Sequence, residues 1–240
     1  MTYENENGDH VHAHQTTYGM SERLVGAVVG CHGDDTGLIL PPQIAPIQMV
    51  VVPIIRGDSK DAVMAYASDV TARLKKLGFR VKLDDRDRSP GDKYYHWELR
   101  GVPLRLEVGP KDMEHESVFA ARRDVPGRDG KKPIPLAELK DGVQALLDDI
   151  HRALYDRQKA FLDGRVKHCA SLDEAKTIDG SEPIQFIFTM PICGDACAAD
   201  VEKGMDIKTL GVPVDETFEA APCAVCGTDA QVHIRFARTY

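Results

Sequence analysis

The sequence predicts an α/β chain of more than one domain, built on a mixed sheet. Three observations carry that expectation. Gln48 to Ile55 is almost continuously apolar, as a strand covered on both faces would be. Val63, Ala67, Val70, Leu74 and Leu77 then recur at helical spacing, and Phe79, Val81 and Leu83 alternate with polar residues, so strand, helix and strand follow in order. Beyond a long amphipathic stretch ending near Leu154, the chain turns polar and then carries two close cysteine pairs. A length of 240 residues leaves room for one large domain or two small ones.

Met1 to His14 is acidic and rich in histidine, without the basic and apolar regions of a signal peptide. No apolar run approaches the ~20 residues of a membrane helix, so the expectation is a soluble, cytoplasmic protein with no membrane partner. Val11 to Tyr18 alternates and reads as a strand, and Ser21 is a reasonable N-cap for an apolar helix over Leu24 to Val29. His10, His12 and His14 share one strand face by their period of two. An exposed histidine face is favoured there over a metal site.

In the middle of the chain, Pro53 belongs near the end of the first buried strand because it cannot donate to a ladder. The next helix stops at Gly78, and strand, helix, strand implies a right-handed parallel crossover. Asp84, Asp85 and Asp87 lack the glycine and distal glutamate of a calcium loop and read as a polar turn capping the next helix. A short helix follows Pro90-Gly91. Trp97 on it is expected in the core. After the Gly101-Val102-Pro103 turn, Leu104 to Val108 is a third strand, closed by a turn at Gly109 to Asp112. Val118 to Arg122 and Lys131 to Ile134 suit a hairpin. Leu136, Leu139, Val143, Leu146, Ile150 and Leu154 line one face of a long helix, with a break expected at Asp163-Gly164 and a polar stretch through Ser181. Ile184 to Ile192 reads as a strand running into Cys193, and Ala230 to Arg238 as another.

The formal net charge of −8 argues against an indiscriminate nucleic-acid binder. From Arg86 to Lys132, however, 11 Lys and Arg stand against 9 Asp and Glu, a net of +2 that leaves −10 for the rest. One electropositive face on an acidic protein suits selective contact with RNA. Tyr94, Tyr95, Trp97, Glu98, Arg100 and Arg105 lie within one helical turn and one strand of each other. Splayed-out RNA bases are stacked on aromatic or guanidinium planes and hydrogen-bonded at their edges by such a mixture. For Glu98 and Arg105 a solvated ion pair is an equal reading of the residues alone.

Six cysteines without a secretory signal read as thiols or metal ligands. Cys193-x3-Cys197, 25 intervening residues and Cys223-x2-Cys226 match a structural tetrahedral zinc site with no open position for catalysis. Cys31 and Cys169 fall outside both pairs. A nucleophilic role for His168-Cys169 is rejected, because adjacent residues on a polar segment rarely make a dyad.

The D-x-R run at Asp85 to Arg86, then Pro90-Gly91, Lys93-Tyr94, Trp97-Glu98, Gly101-Val102-Pro103, Arg105, Glu107, Gly109-Pro110 and Asp112 together resemble the anticodon-binding domain of the prolyl-tRNA synthetases, a class II family. Around Ser21-Glu22-Arg23 the chain resembles motif 3 of class II catalytic domains, and His32-Gly33-Asp34-Asp35, Gly37-Leu38 and Leu40-Pro41-Pro42 resemble the prolyl members in particular. Thr17-Tyr18-Gly19 departs mildly from the family's usual Ser-Trp-Gly.

The resemblance, of the archaeal and eukaryotic type, implies three parts: a catalytic remnant at 1–42, an anticodon-binding domain at 43–155 and a zinc-binding domain at 156–240. It implies Arg23 as a catalytic residue on ATP phosphate and Ser21 beside it in the nucleotide site. Tyr94 would stack on an anticodon base, Glu98 and Arg105 would read base edges, and Lys111 and Asp112 would act beside them. Cys193, Cys197, Cys223 and Cys226 would hold the zinc, and Tyr240 with its carboxylate would reach toward the active site. The complete enzyme would use ATP, magnesium and proline, charge tRNA(Pro), and form a homodimer through its catalytic region. Motifs 1 and 2 do not occur in these 240 residues, so tRNA binding without adenylate formation is expected of the chain alone. Residues 1–42 are expected to be disordered or aggregation-prone by themselves. The alternative is a non-enzymatic tRNA-binding or regulatory protein that reuses the anticodon-binding domain.

Overall fold

A computed structural model describes residues 1–181, 185–214 and 216–239, and the chain divides into two compact units at Leu154. The first opens with a hairpin of β1 (Thr2–Glu4) and β2 (His10–His12), followed by α1 (Arg23–His32). Of the strand expected over Val11 to Tyr18, only Val11 and His12 are strand. Its partner is only three residues long, pairing Thr2 with His12 and Glu4 with His10. The N-cap of α1 is Glu22, with no side-chain hydrogen bond, rather than Ser21. The helix buries none of its residues, and Leu24, Val25 and Val29 are 54%, 67% and 41% exposed.

The rest of the first unit is the expected mixed sheet. Its strands are β3 (Met49–Pro53), β4 (Val81–Leu83), β5 (Leu104–Val108), β6 (Ser117–Arg122) and β7 (Lys131–Pro135). They lie in the order β4-β3-β5-β6-β7, with β3 parallel to both β4 and β5 and the last two strands antiparallel. Pro53 is the last residue of its strand, where its missing N–H is harmless. Between the strands run α2 (Lys60–Lys76), α3 (Pro90–Leu99) and α4 (Pro110–Glu114), and α5 (Leu139–Arg165) follows a 3-10 turn. The turn expected at Gly109 to Asp112 is the start of α4, because Pro110 suits a first helical position and the Asp112 carboxylate accepts the Gly109 N–H.

Alternation sorts the two faces of this sheet. Met49, Val51, Leu104, Leu106, Val118, Ala120 and Ile134 point to one side and form the main core with α2 and the first half of α5. Val50 and Val52 point to the other side and meet Trp97 and Val102 in a smaller cluster under α3. That second face carries Arg105 and Glu107 on β5, where the residue type turns charged.

Residues 34–45 are woven into the same unit. Leu38 N–H donates to the Leu99 carbonyl and Leu40 N–H to that of Gly101. The approach is close enough to require glycine on both sides. A Cβ on Gly37 (φ +135°) would stand 2.6 Å from Leu99 Cα, and one on Gly101 (φ +69°) 2.6 Å from Leu38 Cβ.

The second unit holds the end of α5, then β8 (Val166–His168), α6 (Leu172–Ser181), β9 (Ile187–Ile192), α7 (Asp195–Met205), β10 (Lys208–Gly211) and β11 (Val232–Ala237). The sheet order is β10-β11-β9-β8 over a core of Phe186, Phe188, Met190, Ile192 and Phe236. Two expectations are corrected here. The helix runs through Asp163-Gly164 to Arg165, and the polar stretch through Ser181 holds β8 and then α6, whose Ala175 is fully buried. One buried residue per few polar ones was too sparse a period to announce it. Ile184, the expected start of a strand, and Tyr240 lie outside the described residues. Among the described residues no helix is long and apolar enough to cross a membrane.

Candidate nucleic-acid interface and metal centre

The site on the first unit begins with what fixes α3. Ser89 caps it, its Oγ accepting the Asp92 N–H at 3.2 Å. The aspartates before it are therefore not the cap. Asp84 is instead a buried hub, 1% exposed. Its carboxylate accepts from Trp97 Nε1 at 2.7 Å and from Arg86 Nε and Nη2 at 2.8 and 2.6 Å, and its carbonyl accepts from the buried Lys93 Nζ at 3.1 Å. Burial opposes ionisation of Asp84, but the hydrogen bonds from Arg86 and Trp97 prevail and hold its pKa down at about 2. Lys93 and Trp97, both on α3, thus pin its rotation on Asp84.

Pinned in that orientation, Tyr94 and Glu98, four residues apart and so on one face, reach over β5. Arg105 Nη1 donates to Glu98 Oε1 at 2.7 Å and Nε to Glu107 Oε1 at 3.0 Å. The same guanidinium lies 3.8 Å from the centre of the Tyr94 ring. Lys131 Nζ donates to Glu107 Oε1 at 3.2 Å. Burial and the neighbouring Glu107 carboxylate raise the Tyr94 hydroxyl well above the usual tyrosine range, so the ring remains neutral.

Sheet register explains this gathering. Val50, Arg105, Ala121 and Lys131 form one row across four strands, and Val52, Glu107, Phe119 and Pro133 the next. α3 covers the β3 end of these rows and leaves the β5–β6–β7 end open. Two cavities result. One, about 330 Å³, has Glu98, Arg105 and Lys131 around an apolar floor of Val50, Val102 and Ala121. The other, about 550 Å³, lies between Tyr94, Glu107, Phe119 and the start of α4 with Lys111 and Asp112. Asp112 is already engaged, its Oδ2 accepting the Gly109 N–H at 2.9 Å, and burial pushes its pKa up. Lys111 is exposed and makes no ion pair among the described residues.

Of the five residues the sequence singles out here, Tyr94, Glu98 and Arg105 touch, while Lys111 and Asp112 face Tyr94 across the second cavity. Glu107 and Lys131 were missed. Glu107 was legible as the residue two beyond Arg105 on one strand face. Lys131 was not, since only the register across β6 brings it near. Ser21 and Arg23 are both exposed at the start of α1, and neither side chain makes a hydrogen bond among the described residues.

In the second unit, β9 delivers Cys193 and the first turn of α7 delivers Cys197, while a tight turn delivers Cys223 and Cys226. Gly227 (φ +77°) donates its N–H to the Cys223 carbonyl at 3.0 Å, and Cys223 N–H donates to the Thr228 carbonyl at 2.6 Å. The four sulfur atoms lie within 4.8 Å of one another, and Cys193 stands 3.5 Å from both Cys197 and Cys226. A tetrahedral zinc thiolate site with bonds of ~2.3 Å has sulfurs ~3.8 Å apart, so the set fits that ion. Thr228 and the adjacent thiols lower the Cys226 pKa to about 6, whereas hydrogen bonding to Cys193 and Cys226 raises that of Cys197. Thiols so close favour some thiolates at the expense of a neighbour, a conflict a divalent cation relieves. Cys169 lies apart and is buried, and burial pushes its pKa up to about 11, which suits an inert thiol.

Comparison with known proteins adds three findings. Residues 48–146 match the family described as an anticodon binding domain. Over its whole length the chain is 46% identical to the proline--tRNA ligases of Thermococcus kodakarensis and Pyrococcus abyssi and 41% identical to that of Methanosarcina mazei. The chain spans about half the length of these curated relatives, 50%, 50% and 49%. A crystal structure of prolyl-tRNA synthetase from Cryptosporidium parvum, complexed with halofuginone and AMPPNP, superposes with a TM-score of 0.84 at 32% identity, covering 100% of this chain and 50% of that one.

Proposed function

For a chain that belongs to the prolyl-tRNA synthetase family and aligns with the C-terminal part of its relatives, we propose that the Tyr94, Glu98 and Arg105 cluster reads the anticodon of tRNA(Pro). The observation that carries this is the contact geometry on the open half of the sheet. The Arg105 guanidinium stacks on the neutral Tyr94 ring and is hydrogen-bonded to the Glu98 carboxylate, with Glu98 and Arg105 lining one cavity and Tyr94 the neighbouring one. Proline anticodons carry two guanines. Guanine offers O6 and N7 to a cation and N1–H and N2–H to a carboxylate, so Arg105 and Glu98 have the two polarities its edge requires. Tyr94 supplies the stacking plane. Lys111 and Asp112 act at the second cavity, Lys111 as a cation for phosphate or base and Asp112 by shaping the turn from Gly109.

In the complete enzyme, which activates proline with ATP and transfers it to tRNA, Ser21 and Arg23 belong to the nucleotide site. A fixed guanidinium there stabilises charge on the polyphosphate, with magnesium, during adenylate formation. Cys193, Cys197, Cys223 and Cys226 hold a structural zinc. The enzyme is a cytoplasmic homodimer.

The test is binding of the purified chain to tRNA with a proline anticodon and to the same tRNA with each anticodon guanine replaced by adenine, at fixed salt. Each replacement is expected to cost ~1–3 kcal/mol, and the cost should shrink in Glu98→Ala or Arg105→Ala. Equal binding to all the tRNAs, falling steeply with salt, would reduce the contact to phosphate and remove the anticodon assignment.

A further inference from the structure

Glu98 sits on the last turn of α3, where a helix leaves carbonyl groups without partners inside it. Its own carbonyl has two partners from outside: the Gly101 N–H at 3.0 Å and the Nε of Arg123 at 3.1 Å. Arg123 follows β6, and its backbone N–H donates to the Pro103 carbonyl at 2.9 Å. Its side chain is only 6% exposed. Both remaining guanidinium nitrogens donate to Asp34, Nη1 to Oδ2 at 2.8 Å and Nη2 to Oδ1 at 2.6 Å. Asp34 is in turn rigid, its Oδ1 accepting the N–H groups of Thr36 and Gly37 at 2.9 and 3.2 Å.

From these contacts we infer that Arg123 is a positioning residue for Glu98 and that Asp34 anchors it. The segment from Asp34 to Leu40 is then a structural part of the base-reading site, with Asp34 lying 64 residues before Glu98 in the sequence. The inference rests on the anticodon reading above. Its physical basis is that one planar fork bridges two otherwise separate backbone turns. Arg123 caps the negative end of α3 with a cation, and the bidentate carboxylate fixes where that cation sits. The clamp acts on orientation more than on folding, because Gly101 still satisfies the Glu98 carbonyl when Arg123 is lost. Arg123 also lines the same cavity as the Glu98 carboxylate. Released from Asp34, it competes with an incoming base for that carboxylate.

The experiment measures, on the full chain, the ratio of affinities for tRNA with a proline anticodon and for its guanine-replaced forms. The variants are Asp34→Asn, Arg123→Lys, Glu98→Ala, the double variant Asp34→Asn with Glu98→Ala, and the charge swap Asp34→Arg with Arg123→Asp. Asp34→Asn and Arg123→Lys should each lower the ratio about tenfold at the guanine read by Glu98, with no further loss when Glu98→Ala is added to Asp34→Asn. The charge swap should restore melting temperature but not the ratio, since an aspartate at 123 cannot donate to the Glu98 carbonyl. A merely structural role would weaken binding to all the tRNAs alike and leave the ratio intact, which would overturn the inference. Losses that multiply in the double variant would overturn it equally. A wild-type chain without any ratio defeats both the anticodon reading and the clamp, whereas a ratio abolished by Glu98→Ala and untouched by Asp34→Asn defeats the clamp alone.

Discussion

The two sites of this chain solve the problem of holding charge in opposite ways. Around Arg105 nearly every charged group already has a partner within the protein: Glu98, Glu107, Lys131 and the Tyr94 ring close on one another. The cluster is organised before any ligand arrives, so on the proposed function binding energy goes to discrimination rather than to ordering side chains. Around Cys193, Cys197, Cys223 and Cys226 the thiols have mainly one another, and Cys197 is driven up while Cys223 and Cys226 are driven down. The four thiols stand close enough to hold a cation. On the proposed function, this contrast makes the first site selective and the second structural.

The contrast breaks most visibly at the metal. A chelator, or Cys223→Ser, should destabilise the second unit by on the order of 5 kcal/mol, less than the ~10–16 kcal/mol of zinc-finger peptides because this unit keeps an apolar core. Calorimetry with zinc analysis checks it. A chelator without effect on melting would mean that the thiols need no ion.

Next in size is Asp84→Ala, which strands the Arg86 guanidinium and the buried Trp97 Nε1 and should cost about 3 kcal/mol in chemical denaturation. The pH dependence has a definite sign. The pKa of Asp84 is lowered on folding to about 2 from its ordinary 3.8. Its stabilisation is therefore complete above about pH 4 and disappears as the pH falls toward 2, amounting to roughly 2 kcal/mol. Asp34, whose carboxyl Arg123 also holds well below the usual range, acts in the same direction, but its carboxylate is partly exposed and contributes less. Asp84→Asn should flatten the acid limb of the stability curve measured between pH 5 and pH 2.

How much of this was legible in the sequence follows from the range of each interaction. The β3–α2–β4 unit, β5 and the β6–β7 hairpin follow from periodicity, since each apolar residue has a fixed neighbour two, three or four positions away. Trp97 was legible as core. The Asp84 hub was not, because a buried aspartate has no signature until the tryptophan, arginine and lysine that justify it are placed around it. The clamp from Asp34 to Arg123 spans 89 residues and has no periodic trace. α6 was missed for a different reason: only its Ala175 packs deeply, so its polar surface dominates the pattern.

The smallest expected effect concerns Lys111, the exposed cation at the rim of the second cavity. Lys111→Ala should weaken all tRNAs alike, with the slope of log affinity against log salt reduced by about 1. A loss specific to one anticodon base would move Lys111 from phosphate contact to base reading and sharpen the map of the two cavities.

The central claim, that a preorganised carboxylate reads a guanine edge, is tested most directly by replacing single anticodon guanines with inosine. Inosine lacks only the exocyclic N2 amine. At the position read by Glu98, wild type should lose at least about tenfold in affinity on this replacement, and Glu98→Ala should lose almost nothing more. An inosine penalty of the same size in wild type and in Glu98→Ala, at both positions, would contradict the account.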